Sequence, residues 1–229
     1  MHRESATKLA MQLHRALLAH YGVPEPKEQR DPLSELVMTI LSQNTSDTNT
    51  ARAYAELRRR HPTWDKVRTA SDEEVADAIR VGGLANVKAP RIKRILDDLL
   101  QERGELSLDF VGDLDTAEAR RYLEGMHGVG PKTAACVLLF SLHKPAMPVD
   151  THVHRVALRV GLIPKGTNAE KAHTLLEELL PPQSYYPFHL NVIRHGREIC
   201  HAARPACEDC PVTALCAYFA ERPQEPSPA

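Results

Sequence analysis

A lysine directly after a glycine-rich turn is the first residue whose type and place could do chemistry. The run is Gly128-Val-Gly-Pro-Lys132, and it opens an apolar helix predicted over 132–142. The positive end of a helix and partial burial both disfavour the ammonium form of a lysine, and a neutral lysine amine is a nucleophile. Lys132 is therefore a candidate for covalent catalysis.

The same turn could bind a phosphate through its backbone. Gly128 and Gly130 separate two helical stretches, and the proline that follows sits at a first helical position, where its missing N–H costs nothing. Such a turn exposes N–H groups at a helix N-terminus, which suits sequence-independent binding of a DNA backbone. The alternative is a glycine-rich connector between packed helices.

An aspartate stands eighteen residues after Lys132. Asp150 precedes a helix predicted over 151–160, so we expect it to be the N-cap of that helix. A carboxylate at the rim of a cleft can also stabilise positive charge that develops on a sugar when a glycosidic bond breaks. One helix and a turn could fold Asp150 back towards Lys132, so both roles stay open.

Four cysteines crowd into seventeen residues near the C-terminus, with the spacing Cys200-x6-Cys207-x2-Cys210-x5-Cys216, and Cys136 stands apart on an apolar helix. In a reducing compartment such a set indicates a metal site rather than disulfides. A zinc ribbon usually pairs two Cys-x2-Cys knuckles, whereas this loop has one knuckle with unequal spacers. Thiolate-only ligation suits iron–sulfur clusters as well. The spacing favours a [4Fe–4S] cluster, with zinc as the alternative.

Helices are predicted to position all of these residues. Apolar residues recur at helical spacing in ten segments, and plain N-capping sequences begin at Ser71, Asp115 and Asp150. No stretch of the sequence shows convincing strand alternation, so the predicted fold class is all-α. The segments are 4–20, Leu33–Gln43, Ser46–His61, Asp72–Val81, Lys88–Arg103, Thr116–Met126, Lys132–Leu142, Thr151–Val160, Asn168–Leu180 and Phe188–Ile199.

Composition places the chain among folded globular proteins. Of its 229 residues, 42% are hydrophobic and 26% are charged. The sequence holds no apolar run long enough to span a bilayer and no signal-peptide core. We therefore expect a cytoplasmic protein with no membrane contact, associated with the nucleoid if the source is prokaryotic.

The formal net charge of −1 does not by itself favour a nucleic-acid partner. Local groups of cations matter more to a phosphate than the net charge does. The groups are Lys88, Arg91, Lys93 and Arg94 within seven residues, Arg155 with Arg159, and Arg194 with Arg197. They indicate phosphate-binding faces, with ordinary solvated helix faces as the alternative.

Taken together, these motifs resemble the endonuclease III branch of the helix-hairpin-helix DNA glycosylases, over about residues 5–218. The matching motifs are Gly128-Val-Gly-Pro-Lys132-Thr-Ala, Val149-Asp150-Thr-His, His195-Gly-Arg197 and the cysteine spacing. The resemblance implies a two-lobed fold with DNA in the groove between the lobes. The implied divisions are a six-helix barrel over 25–144, an iron–sulfur lobe from 1–24 and 145–219, and a disordered tail over 220–229.

The resemblance also implies an activity. Lys132 would be the nucleophile and Asp150 its acidic partner in a bifunctional DNA glycosylase and AP lyase of base excision repair. Such an enzyme acts as a monomer on double-stranded DNA with a damaged base. It would remove oxidised pyrimidines through a lysine Schiff base and cut the strand 3′ to the lesion by β-elimination.

Further contacts with DNA follow from the same resemblance. Leu84 would wedge into the base stack, and either Gln43 or Asn44 would fill the gap left by the flipped base. His127 replaces the proline that the family usually has before the hairpin. The other expected DNA contacts are Lys88, Gly128, Gly130 and Arg204, and the carbonyls of Glu124, Met126 and Val129 would hold a monovalent cation.

Three other functions are compatible with the sequence. A mismatch or pyrimidine-dimer glycosylase of the same fold would keep the same motifs. An adenine glycosylase shares the cysteine spacing, but that branch lacks the lysine at position 132. A non-catalytic DNA-binding iron–sulfur protein is the alternative of another class, and it would bind an abasic site without cutting.

Overall fold

The computed structural model describes residues 3–26 and 29–222, and within them the regular elements are all helical, with no strand. The all-α prediction is confirmed. In chain order the α-helices are α1 Arg3–Tyr21, α2 Pro32–Leu41, α3 Asp47–Arg60, α4 Trp64–Thr69, α5 Asp72–Ala78, α6 Ala85–Arg103, α7 Thr116–Gly125, α8 Pro131–Cys136, α9 Thr151–Val160, α10 Ala169–Leu179, α11 Tyr185–Glu198 and α12 Ala217–Ala220. A π-helical turn, Val137–Ser141, continues α8.

Side-chain caps start these helices where the sequence predicts them. Ser71 and Glu74 form a reciprocal capping box at α5, and Asp115 and Glu118 form another at α7. Each box satisfies two backbone N–H groups that the helix itself cannot bond. The caps therefore fix the entry to both helices by local chemistry alone.

The chain divides into two compact units. The continuous unit is residues 28–144, and the split unit joins residues 1–27 to 145–229. The sequence led us to expect the first division at 24/25 and the second at 144/145. The tail expected over 220–229 begins at the last residue of α12, and from residue 223 onward it lies outside the described residues.

In the continuous unit, α2 packs against α8 and against the π turn, while α5 and α4 pack against α6. Leu36 and Ile40 of α2 and Ala134 and Leu138 of the α8 segment are fully buried. Burying one such leucine or isoleucine stabilises the fold by about 1.5–3 kcal/mol. The helix that carries Lys132 is thereby anchored along the length that follows the lysine.

In the split unit, α11 packs against both α9 and α1, and α12 also contacts α9. Leu13, Phe188 and Val192 are buried between α1 and α11. Gly196 allows α9 to approach α11 closely, since a Cβ there would lie 2.9 Å from the Cβ of His152. This contact explains the glycine of the His195-Gly-Arg197 motif. No helix in the described ranges is long and apolar enough to cross a membrane.

Candidate active site and cysteine cavity

The hairpin that precedes Lys132 is a tight turn between α7 and α8. Gly128 has φ +73°, and the amide of Val129 donates to the carbonyl of Met126 at 3.1 Å. Gly130 is the N-cap of α8 and offers no side chain. Lys132 is the second residue of α8 and is half-buried, whereas the residues from 133 to 139 are buried.

Arg91 of α6 lies against this hairpin. The positive φ favours glycine at position 128, and a Cβ there would be 2.5 Å from Arg91 Nε and would displace that side chain. Arg91 Nη1 donates to Gln43 Oε1 at 3.0 Å, and Gln43 Nε2 lies 3.5 Å from Thr133 Oγ1. The side chain of Gln43 is thus held beside the residue that follows Lys132.

Gln43 and Asn44, the two residues expected from the sequence to fill a flipped-base gap, have different surroundings in the structure. Gln43 is half-buried and bound as described, while Asn44 is exposed and has the left-handed φ of +55°. Leu84, the expected wedge, is also left-handed, with φ +53°, and 52% of its surface is exposed. Val87, one turn further along α6, is exposed to a similar extent.

Lys88 corrects the sequence-based expectation. It was expected to bind DNA, but it is only 1% exposed, and its ammonium donates to the carbonyls of Leu41 and Gly82 at 2.7 and 2.8 Å. Burial lowers the pKa of Lys88, and the charge of Arg91 lowers it further. An ammonium enclosed by two main-chain carbonyls cannot reach a phosphate. The prediction that Lys88 contacts DNA is therefore wrong.

The rest of the 88–94 group is not an open patch either. Lys93 pairs with Asp72 at 2.7 Å, and Arg94 lies 3.7 Å from Asp98 in an exposed pair. Exposed pairs of this kind contribute little and exchange easily. Arg94 is the more accessible of the two to a phosphate, because its side chain is 61% exposed and that of Lys93 is 18% exposed. His127 and Arg204 are both exposed, as a DNA contact would require.

Asp150 is the N-cap of α9, as predicted. Its Oδ1 accepts the amide of Val153 at 2.8 Å, and the residue is half-buried. Lys132 belongs to the continuous unit and Asp150 to the split unit. Contacts within the split unit therefore fix the position of Asp150, and contacts within the continuous unit fix that of Lys132.

Three side chains hold the extended segment that leads to Asp150. Glu177 accepts the amide of Met147 at 2.8 Å. The Nδ1 atoms of His173 and His189 lie 2.8 and 2.9 Å from the carbonyls of Met147 and Pro148. A carbonyl can only accept, so both histidines carry their proton on Nδ1. Sequence reasoning missed these two buried histidines, because their partners are 26 and 41 residues away.

The four clustered cysteines line one cavity in the split unit. The cavity is small, about 20 Å³, and apolar side chains such as Val156 and Val212 complete its wall. All four cysteines lie within the described residues and are free thiols. No three His, Cys, Asp or Glu side chains in residues 3–26 and 29–222 are placed to hold a single metal ion.

Donors from helices approach two of these sulfurs. Arg159 Nη1 donates to Cys200 Sγ at 3.3 Å, and His195 Nε2 lies 3.7 Å from Cys210 Sγ. Burial lowers the pKa of His195 to about 4. A neutral ring can accept the Tyr21 hydroxyl, 3.2 Å from Nδ1, and donate its Nε2–H to the sulfur. Burial raises the pKa of the Cys210 thiol, and the charges of the neighbouring cysteines add to this, so a set of thiolates requires a cationic partner.

Arg155 and Arg159 have a different role from the one expected for them. Arg155 donates to the carbonyls of Cys200 and Gly196 at 3.0 and 2.8 Å. Arg159 donates to two further carbonyls of the cysteine loop, those of His201 and Ala202, at 2.7 Å each. Both guanidinium groups are engaged by main chain. They shape the loop and do not form a phosphate-binding face.

Comparisons with known proteins agree with this fold. Residues 37–182 match the model of the HhH-GPD superfamily of base excision DNA repair proteins. A protein of Arabidopsis thaliana assigned as a DNA glycosylase is 38% identical over 198 residues, covering 82% of this chain and 67% of its own. Endonuclease III of Thermotoga maritima is 33% identical over 199 residues, covering 87% of this chain and 89% of its own.

One solved structure extends the comparison to the fold. An endonuclease III trapped as a covalent intermediate with DNA has a TM-score of 0.80 and 24% identity, covering 96% of this chain and 98% of that one. All-helical architecture, the hairpin and the cysteine loop define an endonuclease III-like glycosylase. The chain belongs to the HhH-GPD superfamily of base excision DNA repair proteins.

Proposed function

We propose that this DNA glycosylase of base excision repair is bifunctional: it removes oxidised pyrimidines from double-stranded DNA and cuts the strand as an AP lyase. The observation that carries the proposal is the place of Lys132, half-buried and directly behind the Gly128–Gly130 turn. An amine at that point can approach a nucleotide whose phosphate is bound at the turn. The buried residues that follow Lys132 in α8 fix the position of its backbone. The trapped covalent intermediate of an endonuclease III of the same fold supports this chemistry.

The proposed reaction begins when the damaged nucleotide leaves the stack. The amine of Lys132 forms a bond to C1′, and the glycosidic bond breaks with its electron pair going to the base. Asp150 stabilises the positive charge on the sugar. The C1′–O4′ bond then breaks with its electron pair going to O4′, which takes up the proton released by the amine, and a Schiff base between Lys132 and C1′ results. A proton then leaves C2′, the C3′–O bond breaks with its electrons on the 3′ phosphate, and water releases Lys132 from the cut strand.

Phosphate contacts would come from the amides of Gly128 and Gly130 and from exposed cations such as Arg204. Leu84 would act as the wedge, because a large apolar side chain half in solvent gains from entering a base stack. A monovalent cation on the carbonyls of Glu124, Met126 and Val129 belongs to the same proposal. The protein would act as a monomer.

We further propose that Cys200, Cys207, Cys210 and Cys216 hold a [4Fe–4S] cluster. Two observations support this assignment: the four thiols line one cavity, and side-chain nitrogens of Arg159 and His195 lie near two of the sulfurs. The cluster would cross-link the loop 200–216 to itself, beside α9 and α11, and supply the cationic partner that the thiolates require. It has no part in the steps at Lys132.

The purified protein is expected to contain about four iron atoms and four acid-labile sulfides per chain. Iron and sulfide assays, with visible absorbance that acid treatment removes, measure this directly. Cys207→Ser should lose most of the iron, whereas Cys136→Ala, a change at the cysteine of α8, should keep it. A colourless protein with one zinc per chain would overturn the assignment.

A panel of labelled duplexes tests the activity. We expect the protein to nick duplexes with thymine glycol or a preformed abasic site, without alkali, because the Schiff base itself permits β-elimination. Undamaged duplex, a G:T mismatch and a pyrimidine dimer should remain intact. The readout is the length of the labelled product on a denaturing gel.

The other functions give different products on the same panel. Cutting that appears only after alkali would show a glycosylase without lyase activity. Preference for the mismatch or the dimer would replace oxidised pyrimidines as the substrate. Binding to the abasic duplex with no cutting would favour a non-catalytic DNA-binding protein.

A further inference from the structure

The buried ammonium of Lys88 is a charged group that the proposed chemistry does not use. Lys88 is the fourth residue of α6 and lies inside the continuous unit. Its Nζ donates to Leu41 O at 2.7 Å and to Gly82 O at 2.8 Å. A lysine is almost never fully buried unless its charge has partners, so these two bonds call for an explanation.

Both acceptors are the last carbonyls of helical elements. Leu41 ends α2, and Gly82 ends the short 3-10 turn Arg80–Gly82. Terminal carbonyls have no partner within their own helix and carry partial negative charge. One ammonium therefore caps two helix ends at once. The chain leaves the first end towards Asn44 and the second towards Leu84.

The two segments that leave these ends have the same unusual backbone and lie side by side. Asn44 and Leu84 both have left-handed φ angles, +55° and +53°. A Cβ on Gly83 would lie 3.9 Å from the carbonyl of Asn44. Left-handed residues other than glycine persist only where the surroundings hold them, and they cluster where geometry serves function. Lys88 bonds to the residue just before each segment.

We propose that Lys88 is a positioning residue that fixes Asn44 and Leu84 as one rigid pair, which enters the DNA stack when a nucleotide flips out. The inference rests on the proposed function and names Asn44 as the residue beside the wedge. Asn44 is preferred to Gln43 because the Gln43 side chain is bonded to Arg91 at 3.0 Å and lies beside Thr133, whereas Asn44 is exposed next to Gly83. On this view Lys88 supports the recognition of duplex DNA. It does not bind a phosphate and takes no part in the reaction at Lys132.

Lys88→Met tests the inference, since methionine keeps an unbranched apolar chain and loses the ammonium. The assay compares borohydride trapping of an abasic site in a duplex with trapping of the same site in a single strand. A single strand needs no wedge. We expect the variant to trap the duplex site at least about tenfold more slowly, as misplaced contacts commonly do, while single-strand trapping stays within about twofold.

The matched control is Lys66→Met, which removes the same charge from an exposed position on α4. It should leave both rates unchanged. Equal loss on duplex and single strand in Lys88→Met would mean that the residue only supports the fold, and the inference would fall. If the wild-type protein traps neither substrate, the proposed lyase function fails instead, so the two failures are distinguishable.

A double-mutant cycle covers the case in which Lys88→Met does not fold. Asn44→Gly and Leu84→Gly remove each side chain at a position where glycine adopts the backbone without strain. Affinity for a duplex with a stable tetrahydrofuran abasic analogue is the measurement. If the two residues act as a pair, the fold-loss of affinity in the double variant is smaller than the product of the two single-variant fold-losses. Losses that multiply to within about twofold would contradict a coupled pair.

Discussion

Replacing Lys132 by glutamine is expected to abolish the covalent adduct that borohydride traps between the protein and an abasic-site duplex. Glutamine is of similar length and polarity but has no amine that can form a Schiff base. Lys132 lies at the start of α8, where the buried residues that follow are unaffected by the change. The rate of strand cutting should fall on the order of 10³-fold or more, as it does when other enzymes lose a nucleophile.

Binding separates this effect from a general loss of function. The hairpin amides and exposed arginines would provide the phosphate contacts, so Lys132→Gln should bind a tetrahydrofuran duplex within about twofold of the wild type. Lys66→Gln removes an exposed lysine of the same unit and should trap normally. Persistent trapping in Lys132→Gln would assign the Schiff base to another amine.

The helices were predictable because their determinants are local. Ser71 and Asp115 lie three residues before the glutamates that complete their capping boxes, so four consecutive residues contain all the groups of each capping box. Short helices and helices with a proline in the first turn were harder to predict from the sequence. The six-residue α4 was missed. Helix α11 begins at Tyr185, three residues before the predicted start, since Pro187 is tolerated in a first turn where no intrahelical donor is needed.

The surroundings of individual charges were not predictable in the same way. The sequence presents Lys88 as one of four neighbouring cations, and a lysine is exposed by default. Its burial depends on a carbonyl 47 residues earlier, at Leu41. Arg159 likewise bonds to carbonyls more than 40 residues later. Such partners come close only when the chain has folded. The sequence therefore indicates where the charges are, but it does not show which groups they bond to.

The cysteine loop could be predicted from the sequence in part. Its spacing alone indicated a cluster of ligands, and the structure places all four thiols around one cavity. His195 lies in the His195-Gly-Arg197 motif, but the sequence does not indicate what the histidine contacts. The structure puts His195 between Tyr21 and Cys210, a position that its place in a sequence motif could only suggest.

Asp150→Asn is expected to lose catalysis while keeping its helix cap. An asparagine Oδ1 can accept the amide of Val153 as the aspartate does, and the two residues are similarly good N-caps. The change removes only the negative charge. Loss of a group that stabilises charge in a transition state typically costs about 10²–10³-fold in rate, and single-turnover cutting of a thymine glycol duplex measures it.

Asp115 provides a matched control, because it is the N-cap of α7 and its Oδ1 accepts the amide of Glu118 at 2.8 Å, as Asp150 Oδ1 accepts that of Val153. Asp115→Asn should leave both the melting temperature and the cutting rate near those of the wild type. Asp150→Asn should match it in melting temperature and differ only in rate. If Asp150→Asn cuts at the wild-type rate, the carboxylate is a cap and nothing more, and the positive sugar must be stabilised by another group. If its melting temperature falls together with the rate, the asparagine does not reproduce the cap, and the role of the charge would have to be separated with Asp150→Ser, which can cap without a carboxylate.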